Sequence, residues 1–576
     1  MRRPKLLAAA LAVPLLGGIV AVVAPTATAQ PQLSGPATEY TVLAAEGQSV
    51  GEAARAVRDA GGTVVRTNQA VGLITATAPA NGFTERVATS DAVLSAAEAR
   101  PIGSAPKRAR AASPDERIER ENRYVARTAR GKGKQPGPAG TDPLDDKLWG
   151  LKSVRSDLAR TVQPGDERVK VGVIDTGVDG THPDIAPNFD ARASRNFVRD
   201  IPADPNGNEV DGPCEFRGCI DPVDHDGNGH GTHVAGTIAA AADGTGISGV
   251  APNVTLVNLR AGQDSGYFFL QSVVDAITYA GDAGIDVINM SFYVDPWLYN
   301  CVANPADSPE QQAAQRLTIE AVTRALNYAH RKGVTQVVAL GNQHTDLGAP
   351  QPDTGSPNYP AGSEHDRDID NAGCFSLPTE GEHVISVSAF GPSQAKADFS
   401  NYGTEQISVS APGGYFRDYF GTDRFQANEN MILSAYPRNV ALAEGTIDAH
   451  GNITPLGREL GVTKATAADG TVGYYQYLQG TSMASPHAAG VAALIVSEYG
   501  SNKRGEFGMD PDAVERVLLG TAAQIPCPVP NTVDYLDEGR DESFTATCTG
   551  TPAFNGFYGH GAVDAYAAVR HGAEHL

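Results

Sequence analysis

The sequence predicts an α/β fold, a mostly parallel central sheet with helices on both faces, preceded by a small α+β unit. Two observations lead there. From residue 148 onward, continuous apolar runs alternate with stretches of helical spacing, as strands buried on both faces require. Upstream, residues 39–103 place short strands and helices in the order βαββαβ, followed by a basic Gly/Pro-rich stretch.

Taken in order, Arg2, Arg3 and Lys5 precede the apolar run Leu6–Val23, and Ala27-Thr28-Ala29 offers small residues for cleavage. Residues 1–29 therefore read as a secretory signal. Pro14, Gly17 and Gly18 interrupt the run and argue against a membrane anchor. Residues 30–104 form the small unit. Its strands are Tyr40–Leu43, Thr63–Val65, Val71–Ala78 and Val93–Ala96, and its helices Val50–Ala60 and Phe83–Thr89, a split-βαβ (ferredoxin-like) order. Residues 105–142 have linker composition, with a transient charged helix over Pro114–Arg130 and a flexible Gly131–Gly140. An RNA-binding arm is the competing reading of this basic stretch.

Residues 143–576 carry the larger domain. Strands are expected at Val169–Ile174, Val254–Leu259, Val287–Met290 and Val334–Leu340, and helices near His233–Ala241, Leu270–Ala283 and Gln311–Lys332. Ligands on such sheets bind at the carboxyl ends of strands. Asp175, Ser291 and Asn342 each follow a strand run and can share one crevice.

Charge narrows the function classes. Residues 1–140 hold 18 basic and 11 acidic residues and the remainder 27 and 56, so the body is strongly acidic and unsuited to nucleic acid. Six cysteines in an exported chain indicate disulfides, with fifteen connectivities open. Cys214–Cys219, Cys301–Cys374 and Cys527–Cys548 are expected, chiefly because the first and last pairs are near neighbours. No Cys-x-x-Cys pair points to zinc.

Three segments carry the chemistry. Asp175 closes a strand in Ile174-Asp175-Thr176-Gly177, and His230 opens Gly229-His230-Gly231-Thr232-His233. Ser482 lies in Gly480-Thr481-Ser482-Met483-Ala484-Ser485-Pro486-His487, ahead of an apolar helix. Singly, each has a plain structural use, such as a helix-capping serine. In the order Asp…His…Ser, with these flanks, they resemble the subtilisin-like (subtilase) serine proteases over about residues 148–568. A lipase or esterase is disfavoured because no Gly-x-Ser-x-Gly surrounds Ser482.

The resemblance implies a three-layer catalytic domain and a secreted serine endopeptidase made as an autoinhibited pro-enzyme. Ser482 would be the nucleophile, His230 the base, Asp175 its orienter and Asn342 the oxyanion donor. Substrate would lie against Ser291, Phe292, Tyr293, Leu340 and Gly341. Bulky Phe292 and Tyr293 stand where the family has glycines, which favours small or unbranched side chains before the scissile bond. No cofactor is required for chemistry. Structural calcium is implied at Asp184 and Asp243, completed by carbonyls of Ala241, Thr245 and Ile247. His182, His233 and His487 are expected to be structural, and Asp224–Asn228 is discounted as an EF-hand loop. Expected partners are peptide substrates and the chain's own pro-region, on a monomer. Residues 295–371 and 414–475 are inserts. A processing protease of narrow specificity and a non-catalytic binding protein are the rival readings.

Overall fold

The computed structural model describes residues 37–80, 82–99, 114–125, 142–503 and 506–576. The expected signal segment and residues 105–113 and 126–141 of the expected linker lie outside them. Among the described residues no helix is long and apolar enough to cross a membrane.

The N-terminal unit comprises β1 (Ala37–Ala44), α1 (Val50–Asp59), β2 (Thr63–Asn68), β3 (Leu73–Pro79), α2 (Phe83–Val87) and β4 (Val93–Glu98). The strands form an antiparallel sheet in the order β2-β3-β1-β4. Ser49 and Glu52 cap α1 reciprocally, each side chain taking the other's backbone N–H. Val50, Ala53, Ala54 and Val57 then face the sheet, packing on Tyr40, Val42 and Ile74. Two short helices follow, α3 (Pro114–Glu119) and α4 (Glu121–Tyr124).

The large domain has a seven-stranded sheet. Its strands are β5 (Lys170–Ile174), β6 (Arg195–Asn196), β7 (Thr255–Arg260), β8 (Val287–Met290), β9 (Thr335–Ala339), β10 (Val384–Phe390) and β11 (Val409–Pro412). They pair in parallel in the order β11-β10-β9-β8-β5-β7-β6. The four expected strand runs all enter this sheet, and β6, β10 and β11 extend it. Strand order reverses at β5, which opens a crevice at its carboxyl end. The α/β fold is therefore as the sequence predicts.

Helices α5 (His230–Ala239), α6 (Leu270–Asp282), α7 (Pro309–Arg331) and α8 (Thr481–Tyr499) cover the sheet. All but the last two residues of α8 are buried, which suits a helix that is apolar all round. The second insert contributes a separate antiparallel sheet of β12 (Ile432–Tyr436), β13 (Thr463–Thr466) and β14 (Val472–Leu478), with β14 central and running directly into α8. The three expected disulfides are the three observed, Cys214–Cys219, Cys301–Cys374 and Cys527–Cys548.

The N-terminal unit docks on α6 and α7. Asn68 Nδ2 donates to Asp275 Oδ1 (2.8 Å) and Thr278 Oγ1 (2.7 Å), and Arg324 Nη1 donates to the carbonyls of Ala44 and Val71. Leu43, Val71 and Leu73 join the apolar cluster beneath these helices.

Candidate active site

The end of β5 and the starts of α5 and α8 converge at one point. Asp175 leaves the strand fully buried, and its Oδ1 lies 2.7 Å from His230 Nδ1 while accepting the Thr176 N–H at 2.8 Å. His230 begins α5, three residues before the start expected from sequence. The reason is Asp226. Its Oδ1 accepts the N–H groups of Asn228 and Gly229 and the Thr176 hydroxyl, and its Oδ2 accepts the N–H and hydroxyl of Thr232. One buried carboxylate thus satisfies the first turn of α5 and ties it to the end of β5. Sequence reading passed over Asp226 as part of a loop resembling a calcium site.

Ser482 is the second residue of α8, after Gly480 at φ +150°, a conformation that favours glycine. Pro486 sits four residues on and has no N–H to offer the Ser482 carbonyl. Ser291 Oγ donates to that carbonyl instead (3.2 Å), and it also bonds Ser485 Oγ at 2.8 Å. Ser291, expected to touch substrate, therefore spends its hydroxyl holding the helix that carries Ser482.

Asn342 Oδ1 accepts both the N–H and the hydroxyl of Thr481, each at 2.9 Å. Its carbonyl end is thereby fixed and its Nδ2 is directed toward Gly480 and the cleft. Gly341, at φ +106°, makes this turn with its N–H on Thr481 Oγ1. Two other expected lining residues go elsewhere. Phe292 stacks on Phe268 with ring centroids 4.1 Å apart, and Leu340 packs with Tyr299 and Leu347. Tyr293 lies on the cleft wall with its hydroxyl held by Asn358 Nδ2 (3.0 Å), close enough for the Asp115 carboxylate to act on it.

The cleft is filled by α3 and α4, a stretch the sequence reads as linker. Ser482 Oγ donates to Glu119 Oε1 at 2.6 Å, and the same oxygen lies 3.5 Å from His230 Nε2. Gln479 donates its backbone N–H to the Glu119 carbonyl (3.1 Å) and its Nε2 to that of Ile118 (3.0 Å). Gln343 Nε2 holds Asp115 Oδ1 at 2.9 Å. Arg120, Glu121 and Asn122 are buried.

The electrostatics follow from this seating. Burial works against a charged His230, yet Asp175 and Glu119 outweigh it and hold the imidazole well above its usual range. Burial likewise opposes an ionised Glu119, but His230 and the Ser482 hydroxyl keep it below the usual carboxylate range. Burial and the neighbouring Glu119 charge push Asp115 up to about 7.

The other histidines have structural partners. His233 Nε2 meets the carbonyls of Ile432 and Gln476, His487 Nδ1 that of Met483, and His182 Nε2 that of Tyr474. Burial pulls His233 down to about 3 and His487 to about 4.

Asp184 Oδ2 accepts the Ile247 N–H (2.8 Å), while its buried Oδ1 has no protein partner. Asp142 Oδ2 is buried and unpartnered in the same way, and Asp142 and exposed Asp243 both raise Asp184, after burial. Spare buried carboxylate oxygens beside the 241–247 loop fit a hard cation such as calcium.

The sequence model of the subtilase family matches residues 166–561. Subtilisin DY of Bacillus licheniformis is 28% identical over 351 residues, covering 61% of this chain and 85% of that protein. Thermitase of Thermoactinomyces vulgaris is 26% identical over 407 residues, 70% of this chain and 98% of that protein. The crystal structure of the epidermin leader peptide processing serine protease from Staphylococcus aureus superposes with a TM-score of 0.59 at 20% identity, covering 93% of this chain and 98% of that one.

Proposed function

The chain belongs to the subtilase family and is a serine endopeptidase; from that premise we propose which residues act and how they are restrained. Ser482 Oγ attacks the scissile carbonyl while His230 Nε2 takes its proton. Asp175 keeps the imidazole in the required tautomer and stabilises the imidazolium. The oxyanion is received by Asn342 Nδ2 and the Ser482 N–H at the start of α8. His230 then gives its proton to the leaving amine, and water, activated by His230, hydrolyses the acyl-enzyme. The chemistry needs no cofactor. The observation that carries this reading is the 2.7 Å Asp175–His230 bond, with one Glu119 oxygen within reach of both Ser482 Oγ and His230 Nε2.

In this reading the enzyme is secreted behind residues 1–29 and made as a zymogen. Residues 30–104 and the linker segment inhibit it, and a cut within the linker matures it. The restraint is chemical as well as steric, since an imidazolium paired with two carboxylates cannot accept the serine proton. A fluorophosphonate probe tests the assignment. Matured protein should gain one adduct on the Ser482 peptide, while full-length protein reacts slowly. An adduct on another serine would overturn it.

Release should depend on pH. Asp115 is raised on docking, so its contribution is full below its ordinary value of 3.8 and is lost as pH climbs through about 7. His230 is also raised, and its contribution is present below 6.5 and lost at alkaline pH. Glu119 is lowered, so it weakens docking only in acid. Self-processing should accelerate from about pH 5.5 to 8.5, by up to about tenfold per pH unit for each proton released. Its midpoint should lie above that for peptide hydrolysis by matured enzyme, and Glu119→Gln should close the gap. Time courses of intact mass at several pH values measure this.

We also assign structural calcium to the loop around Asp184 and Asp243. Saturating calcium should raise the melting temperature by a few degrees, about 2.7 kcal/mol at a hundredfold excess over Kd. Asp184→Asn should abolish the difference between calcium and chelator in thermal melts.

A further inference from the structure

The cleft contains two charged sockets that no step of hydrolysis uses. In the first, the Tyr436 hydroxyl donates to Glu444 Oε1 at 2.9 Å, and that carboxylate receives the Arg120 guanidinium, which also lies 5.8 Å from the Tyr436 ring centroid. In the second, Arg417 Nε (2.8 Å), Arg540 Nη2 (3.0 Å) and Gln479 Nε2 (3.0 Å) converge on the carboxylate of Glu121. The socket residues are held in place independently of these occupants. Arg540 Nε pairs with Asp398, and Arg417 Nη1 donates to the Glu538 carbonyl.

The sockets lie on different walls. Glu444 belongs to the His230 side, where Tyr436 packs over Gly229, whereas Arg417 and Arg540 surround Gln479, three residues before Ser482. Arg120 lies between α3 and α4 at φ −112°, ψ 33°, and this turn sends it and Glu121 to opposite walls; an extended substrate, whose successive side chains point to opposite sides, offers the same alternation. The occupants Arg120 and Glu121 are adjacent and follow directly on Glu119, which sits on Ser482. The segment also runs from Asp115, beside Gln343 and Tyr293, across Ser482 to Arg417. That direction enters from the wall expected to hold the residue before the scissile bond and leaves on the other side.

We propose that these sockets are substrate subsites on the leaving-group side of the scissile bond. The matured enzyme then selects peptides that carry Arg or Lys followed by Asp or Glu there. The proposal rests on the assignment of Ser482 as nucleophile. Its physical basis is an asymmetry of cost. A neutral side chain docked over Glu444, or over Arg417, covers a charge and leaves it without an ionic partner, while Arg540 keeps Asp398; a charged side chain instead forms charge-assisted hydrogen bonds. Sites built around polar groups reject a substrate lacking the partner more strongly than apolar pockets reject a misfit.

The test uses full-length protein that has matured itself and four quenched fluorescent peptides. They differ only in carrying Arg-Glu, Gln-Glu, Arg-Gln or Gln-Gln, with the pair moved through the first few positions after the cleavage point. At one register, each neutral replacement should lower kcat/KM about tenfold or more. Glu444→Gln should erase the Arg/Gln preference and keep the Glu/Gln preference, and Arg417→Gln the converse. The preference retained at the untouched socket shows that each variant has folded. If wild type cleaves all four within about threefold at every register, while Ser482→Ala cleaves none, the sockets are not subsites and the nucleophile assignment stands. If no cleavage depends on Ser482, both fall.

Discussion

Ser482→Ala should lower kcat on the order of 10⁶-fold and leave the chain at full length. The argument starts from the partners of the hydroxyl. Oγ is presented by the second residue of α8, with Gly480 at φ +150° on one side and His230 across the cleft. Removing one oxygen leaves Asp175, His230 and Asn342 with their hydrogen bonds to one another and to Thr481 intact, so the fold should be unchanged. What disappears is the atom proposed to form the acyl-enzyme. Any residual activity should come from binding and oxyanion stabilisation alone. Intact mass over time and kcat on a peptide substrate check both halves. A Ser482→Ala chain that processed itself at the wild-type rate would remove Ser482 from the mechanism.

Asp175→Asn should cost about 10⁴-fold in kcat with little change in structure. Asp175 Oδ1 accepts from His230 Nδ1 and from the Thr176 N–H, so the acceptor must be a carboxylate or present its oxygen with equal geometry. An asparagine that turns its amide toward His230 stabilises the wrong tautomer, with the proton on Nε2, the nitrogen that should receive it from Ser482. It also withdraws the charge that balances the imidazolium. The loss should diminish at high pH if tautomer preference is the main fault, and a pH–rate profile of the variant reads this directly. An unchanged profile and rate would show that Asp175 serves packing only.

Much of the architecture was legible because buried parallel strands are spelled out as unbroken apolar runs. Val169–Ile174, Val254–Leu259, Val287–Met290 and Val334–Leu340 each became a strand of the central sheet, with no end shifted by more than about one residue. Motif order supplied Asp175, His230, Ser482 and Asn342, which the structure gathers into one crevice. Orientation was less accessible. Nothing local distinguishes a cleft-facing Phe292 from one stacked on Phe268, because the choice depends on a neighbour more than twenty residues away. The seating of α3 and α4 in the cleft was hidden for a similar reason, although the stretch does read as helical. Charged residues such as Arg120 and Glu121 read as solvated until Glu444, Arg417 and Arg540, some 300–420 positions later, are brought beside them.

The N-terminal unit grips α6 and α7 while α3 and α4 occupy the cleft, and the chain joins the two through residues 99–114. A cut anywhere after residue 125 would leave these footholds on one fragment. That fragment would be a bivalent ligand, in which each bound end holds the other at an effective concentration of about millimolar. Severing the chain once would therefore leave the cleft mostly covered. A second cut, between the two footholds, would convert avidity into two separate weak equilibria and let dilution complete what the first began.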